Sequence, residues 1–123
     1  MMFFPSTVRI YLAEEPADMR KSIDGLSVLV KQSLNHDAYS GHLFVFLSRR
    51  RDRAKILWWA LGGFALFYKR LEKGCFKRPI RSADGLAIEL EASQLAMLLD
   101  GLDLKQAPLP RRWSPPEGST RPR

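Results

Sequence analysis

The chain begins with a short alternating segment, and a longer amphipathic segment follows it. Residues 8–12 alternate in the manner of a half-buried strand. After Pro16, which suits a first helical turn, apolar residues recur at spacings of three or four positions. This stripe, which predicts a long amphipathic helix ending near residue 34, consists of Met19, Ile23, Leu26, Val30 and Leu34.

Three apolar segments separated by short connections come next. Residues 42–47 are apolar on both faces, which predicts a central strand of a sheet. Residues 53–60 and 64–71 predict two further strands, and the connections are residues 48–52 and the glycine-containing residues 61–63. Since connections this short join neighbouring antiparallel strands, we predict a three-stranded meander.

A last strand and a short helix close the pattern. Residues 86–90 alternate and predict a strand. Apolar residues at helical spacing follow, with Gly101 placed to end the helix, and they are Leu95, Leu98, Leu99 and Leu102.

This order of elements predicts an α+β domain over residues 1–106. We expect a single antiparallel sheet, made of the meander and flanking strands, with the long N-terminal helix and the short C-terminal helix packed on one face. Residues 107–123 are rich in proline and basic side chains and poor in apolar ones, so we expect a flexible tail there.

The charge is concentrated in a few places along the chain. The formal net charge is +7, yet residues 49–81 alone contain eleven basic and two acidic side chains, a balance of +9. Clustered arginine and lysine indicate a polyanionic partner, and the alternative is a solvated basic face that aids solubility.

Ten basic residues of this region are candidate DNA contacts. Four lie in or beside the predicted hairpin connection, where a guanidinium group could bind a backbone phosphate through two hydrogen bonds: Arg49, Arg50, Arg51 and Arg53. Six others extend the basic region along the strands and the following loop: Lys55, Lys69, Arg70, Lys73, Lys77 and Arg78. The alternatives are a charged hairpin tip that blocks aggregation and solvated residues at a strand edge.

Three residues outside that set are candidate contacts for a protein partner, and these are Arg20, Lys21 and Trp59. On a helix, Arg20 could instead form an ion pair with Asp24, four positions later. The adjacent Trp58 and Trp59 must point to opposite faces of a strand, so we expect one in the core and the other available for stacking.

The sequence favours no catalytic or metal-dependent chemistry. It contains no phosphate-binding glycine loop, nucleophile elbow or metal-binding motif, so we expect neither an enzyme nor a bound metal or cofactor. The single cysteine, Cys75, cannot form an internal disulfide, and no apolar run is long enough to span a bilayer. We therefore expect a cytoplasmic protein with no membrane partner.

Five segments, taken in order, resemble the small accessory protein of the insertion-sequence sixty-six group, often called TnpB. They read DMRK at 18–21 with DGL at 24–26, GHLFVF at 41–46, KILWW at 55–59, FYKRLEKGCF at 67–76 and QLAMLLDG at 94–101. The resemblance implies a role in transposition beside a separate, larger transposase, and it implies no known catalytic mechanism.

The chain departs from this family pattern at three places. Ser22 stands where the family often has glycine, and Ala60 where it often has an acidic residue. Before the last predicted helix, Glu91 and Ala92 replace a hydroxyl residue and proline, which leaves Gln94 as half of a capping box.

Two functions remain open at this point. The chain either binds DNA, at the element ends or as non-specific duplex, within a transposition complex, or it is an adaptor that binds the transposase and touches no DNA. DNA binding should weaken steeply with salt because counterions are released, whereas an adaptor built on apolar contacts should not.

Overall fold

Five strands, two helices and one 3₁₀ turn make up the computed structural model, which describes residues 7–79 and 85–101. In chain order they are β1 (Ile10–Ala13), α1 (Ile23–Gln32), the 3₁₀ turn (Ala38–Ser40), β2 (Leu43–Leu47), β3 (Arg53–Ala60), β4 (Gly63–Arg70), β5 (Ala87–Leu90) and α2 (Ala92–Leu99). The predicted α+β class with one sheet is confirmed, and the predicted tail, residues 107–123, lies outside the described residues.

The strands form one mixed sheet in the order β4-β3-β2-β1-β5. β2 is central and buried along its whole length, and the antiparallel meander of β2, β3 and β4 is confirmed. The prediction of a wholly antiparallel sheet is wrong, because β1 pairs with β2 in parallel. The reason is the connection through α1, which returns the chain to the same end of the sheet before β2 begins.

The two helices pack on opposite faces of the sheet, so the prediction that they share one face is wrong. Leu26 of α1 belongs to a buried cluster with Phe44 and Phe46 of β2. Leu98 of α2 belongs to a second cluster, which contains Val45. Since successive residues of β2 are apolar and point to alternate faces, each face needs its own cover.

α1 contains only ten residues, and the long helix expected from the apolar stripe is therefore shorter than predicted. The segment before it is not helical. The Ala17 N–H donates to the Leu47 carbonyl, and the carbonyls of Met19 and Lys21 accept hydrogen bonds from Lys55 of β3. The carbonyls of Met19 and Lys21 would have to accept from N–H groups four residues later if this segment were helical, and Lys55 binds them instead.

The turns and caps follow local chemistry. Leu61 and Gly62 both have positive φ angles, 53° and 82°, as the two-residue loop between paired β3 and β4 requires. At the start of α2, the Glu91 N–H donates to Gln94 Oε1 at 2.8 Å and the Glu91 side chain accepts the Gln94 N–H, so the capping box is complete where the sequence predicted only half of one. Among the described residues, neither helix has the length and apolar character needed to cross a bilayer.

Candidate nucleic-acid interface

The connection between β2 and β3, residues 48–52, forms with Arg53, the first residue of β3, a hydrogen-bonded loop that we call the arginine loop. Ser48, the first residue of the loop, makes several of its hydrogen bonds. Its N–H donates to the Arg53 carbonyl at 2.9 Å, and its hydroxyl donates to Asp52 Oδ1 at 3.1 Å. The Arg51 N–H in turn donates to the Ser48 carbonyl at 2.9 Å. The loop therefore holds a fixed backbone, and the side chains of Arg49, Arg50, Arg51 and Arg53 are exposed on it.

The segment that follows β4 braces this loop from the side. The N–H of the buried Phe76 donates to the Arg51 carbonyl at 2.6 Å, and the Leu71 N–H donates to the Asp52 carbonyl at 2.8 Å. Arg51 has a φ of 61°, in the left-handed region that non-glycine residues seldom adopt. The bonds on both sides hold it there, and the exposed Lys73 and Lys77 belong to the same bracing segment.

Arg20 lies across a cleft from the arginine loop. This cleft has a volume of about 620 Å³. The charged and hydroxyl residues among those that line it are Asp18, Arg20, Ser48, Arg49, Arg50, Asp52 and Arg53. Residues separated by some thirty positions in sequence thus face one open space, because the segment before α1 passes beside the end of β3.

Arg20 forms an ion pair with Asp18, and the expected pair with Asp24 is not made. The guanidinium donates to both carboxylate oxygens of Asp18, at 2.8 and 3.1 Å. The reason is that residue 20 precedes the helix, so the four-residue spacing to Asp24 does not place the two side chains together. Hydrogen bonds from Arg20 lower the pKa of Asp18 to about 2, so the pair persists above pH 4 and is lost as the pH falls toward 2.

Lys55 is buried, and only 8% of the residue is exposed. Its ammonium group donates to the carbonyls of Met19 and Lys21, each at 2.8 Å, and lies 5.0 Å from the centre of the Tyr68 ring. Two of its three N–H donors are therefore used within the protein and the residue is buried, so Lys55 does not belong to the exposed basic side chains.

The other basic candidates divide into bound and exposed side chains. Lys69 donates to the Leu99 carbonyl at the end of α2, and Arg78 donates to the Glu14 carbonyl. Arg70 is exposed and pairs with Glu72 at 3.1 Å, an arrangement that solvent screens. Lys21 is exposed, and its stem crosses Gly25, where a β-carbon would lie 3.1 Å from it.

The two adjacent tryptophans divide between core and surface as expected. Trp58 is buried in the cluster beneath α2, and Trp59 is half-buried on the other face. Trp59 contacts Tyr39 and Phe64, which the sequence analysis did not select. Phe64 could have been found from the two-residue turn, which sets it opposite Trp59, but Tyr39 comes from a distant turn that carries no such signal.

The arginine loop lies within a region that known proteins share. The family described as IS66 Orf2-like protein matches residues 8–108. The chain belongs to this family. Two Sinorhizobium fredii proteins, y4hO and y4jC, both described as uncharacterised, are each 36% identical to it, over 115 and 107 residues. These alignments cover 94% and 85% of this chain and 90% of each relative, and no solved structure shows a significant match.

IS66 Orf2-like proteins are accessory proteins of transposition, and the resemblance to this family predicted from the sequence is confirmed. The family is an accessory one and not a known catalytic one. Within residues 7–79 and 85–101, no group of three or more His, Cys, Asp or Glu side chains is arranged to hold a metal ion. What the cleft presents is a set of guanidinium groups, whose planar donors match phosphate oxygens.

Proposed function

We propose that this IS66 Orf2-like protein binds the phosphate backbone of duplex DNA, without sequence specificity, within a complex with the transposase of its element. The observation that carries this proposal is the position of the arginine loop. Arg49, Arg50 and Arg53 line one cleft with Arg20, and Arg51 projects from the same loop. Among the described residues, none of the four loop arginines forms an ion pair within the chain.

The fixed backbone of the arginine loop favours a role in DNA binding over a role in solubility alone. A charged tip that only prevents aggregation needs no fixed backbone. Here the loop is fixed from within by Ser48 and from outside by the backbone of Phe76 and Leu71. Fixing the loop backbone in advance reduces the conformational entropy that is lost when its arginines bind a ligand.

The absence of sequence specificity follows from the helices. Proteins that read base edges commonly place a helix with polar and basic side chains in the major groove. α1 has one basic side chain, Lys31, and α2 has none. Contacts from a loop to phosphates position a protein on DNA but carry little sequence information.

A titration of labelled duplex tests this proposal. We expect the affinity of the purified protein for random duplex and for the element ends to be similar, and to fall steeply between about 50 and 200 mM salt. Lys31→Ala, at the far end of α1 from the loop, is the matched control and should change little. Failure to bind either duplex at the lowest salt concentration would remove the proposal.

The second candidate is an adaptor that binds the transposase and touches no DNA. The half-exposed Trp59, at the opposite end of β3 from the arginine loop, is the observation in its favour. A pull-down of the transposase that persists at high salt, from protein that does not bind DNA, would favour this function. Trp59→Ala should then abolish the pull-down, whereas Arg49→Ala should not.

A further inference from the structure

A row of basic and aromatic side chains runs along one edge of the sheet. β4 is the edge strand, and on the face that carries α1 its side chains pair with those of β3. Arg53 lies opposite Arg70 at one end of the row, and Trp59 lies opposite Phe64 at the other. Tyr68 lies between the two ends and is 49% exposed.

The aromatic end of the row is a preformed cluster of three rings. Tyr39 meets Trp59 and Phe64 at centroid distances of 4.9 and 5.1 Å, and Trp59 meets Phe64 at 4.9 Å. The turn that presents Tyr39 is capped by Asp37, whose carboxylate accepts the Tyr39 N–H at 2.9 Å. Tyr39 is nevertheless 62% exposed, so the cluster offers aromatic surface to a ligand.

The two ends are separated by a distance that a short stretch of nucleic acid can span. Six positions of β4 separate Phe64 from Arg70, which is about 20 Å at roughly 3.3 Å per residue. Arg53 also lines the cleft of the arginine loop, so the row is continuous with the proposed duplex site. Arg70 shares its charge with the exposed Glu72, which leaves Arg53 as the stronger phosphate ligand of the two.

The chemistry of the row selects an unpaired strand over a duplex. Bases inside a duplex are stacked on one another and cannot cover a protein ring, whereas the bases of a single strand can. Proteins that bind single strands combine cationic groups along the backbone with aromatic rings on which bases stack. The row supplies both groups on one face of β3 and β4, with the charge at one end and the rings in the middle and at the other end.

We propose that this basic–aromatic row binds an unpaired DNA strand that adjoins the duplex held by the arginine loop. Phosphates would lie against Arg53 and Arg70, and bases would stack on Tyr68 and on the cluster of Tyr39 and Trp59. This inference rests on the proposed function, because the duplex site sets where the unpaired strand begins. It adds the form of DNA that the protein prefers, which is a junction between double and single strand.

The test compares a blunt duplex with the same duplex bearing a single-stranded extension of about ten nucleotides, a length within the range of known single-strand sites. The wild-type protein should bind the extended duplex roughly tenfold more tightly than the blunt one. Tyr68→Ala and Tyr39→Ala should each reduce that preference severalfold and leave binding of the blunt duplex unchanged. Tyr68→Phe, which keeps the ring, should keep the preference.

Leu86→Ala is the matched control, because Leu86 is 45% exposed and precedes β5 at the opposite edge of the sheet. It should leave the preference intact. Equal affinity of the wild-type protein for both DNAs would overturn the proposal that the basic–aromatic row binds an unpaired strand, and it would leave the duplex proposal standing. Conversely, tyrosine-dependent binding of the extended DNA without any binding of the blunt duplex would support the row and remove the duplex proposal.

Discussion

The ammonium group of Lys55 lies 2.8 Å from the carbonyl oxygen of Met19, and this contact joins the N-terminal part of β3 to the segment that precedes α1. The same group binds the Lys21 carbonyl at 2.8 Å, so its two acceptors lie on either side of Arg20 in the chain. Lys55 thus holds the backbone that places Arg20 beside the arginine loop. Lys55 therefore supports the proposed DNA site by positioning Arg20, and it does not itself contact phosphate.

Replacement of Lys55 by methionine should destabilise the protein by about 2 kcal/mol, because two hydrogen bonds from a buried charged donor are lost. It should also remove the contribution of Arg20 to DNA binding, so that Arg20→Ala has no further effect in this background. Urea unfolding and a double-mutant cycle on DNA affinity measure the two effects. Lys73→Met, at an exposed position, is the control for stability only, and equal stability of the two variants would show that the Lys55 contacts contribute little.

Much of the fold was predictable because its signals are local. The meander followed from the short connections, and the central position of β2 followed from its two apolar faces. The exposure of the loop arginines followed from their place in a hairpin connection. Each of these features depends on residues that are close together in sequence.

The features that sequence reasoning missed depend on distant partners. The apolar stripe continues through Met19, but Lys55 of β3 takes the carbonyls that a longer helix would need. The placement of the helices on opposite faces depends on the parallel pairing of β1 with β2, which no local pattern shows. For the same reason the cleft between Arg20 and the arginine loop, and the contact of Tyr39 with Trp59, emerged only from the tertiary structure.

Asp18→Asn should strengthen DNA binding, because it frees the Arg20 guanidinium from its ion pair while an amide oxygen can still accept the Arg20 N–H. One added phosphate contact should steepen the salt dependence by about 0.9 in log–log slope. Asp37→Asn changes the net charge equally at the far 3₁₀ turn and is the control. If both variants shift the slope by the same amount, general charge and not Arg20 explains the effect.

Leu61→Asn should raise the free energy of unfolding by about 1 kcal/mol, because asparagine tolerates the left-handed conformation that costs leucine energy. Leu61 is fully exposed, so the substitution removes no buried contact within the described part of the chain. Chemical unfolding measures the difference. Leu61→Val should lower the free energy of unfolding, because a β-branched side chain is more restricted than leucine in this backbone conformation. A loss of stability in Leu61→Asn would contradict this account of the turn.

Leu57→Ala should lower the free energy of unfolding by about 2–5 kcal/mol, because Leu57 is completely buried in the cluster beneath α1. Arg49→Ala and Arg50→Ala, a few residues away but exposed, should each change it by no more than about 0.5 kcal/mol. Thermal or urea unfolding of the three variants distinguishes a residue that stabilises the core from exposed residues that do not. Comparable losses in all three would mean that the arginine loop is part of the structural core.

The salt dependence of duplex binding by the Arg49→Ala, Arg50→Ala, Arg51→Ala triple variant tests the proposed DNA contact most directly. With three phosphate contacts removed, the log–log slope of affinity against salt should become shallower by about 2 to 3 units, while the variant unfolds at nearly the wild-type denaturant concentration. A variant that folds normally and keeps the wild-type slope would contradict the account. The arginine loop would then serve solubility, and the adaptor function would take its place.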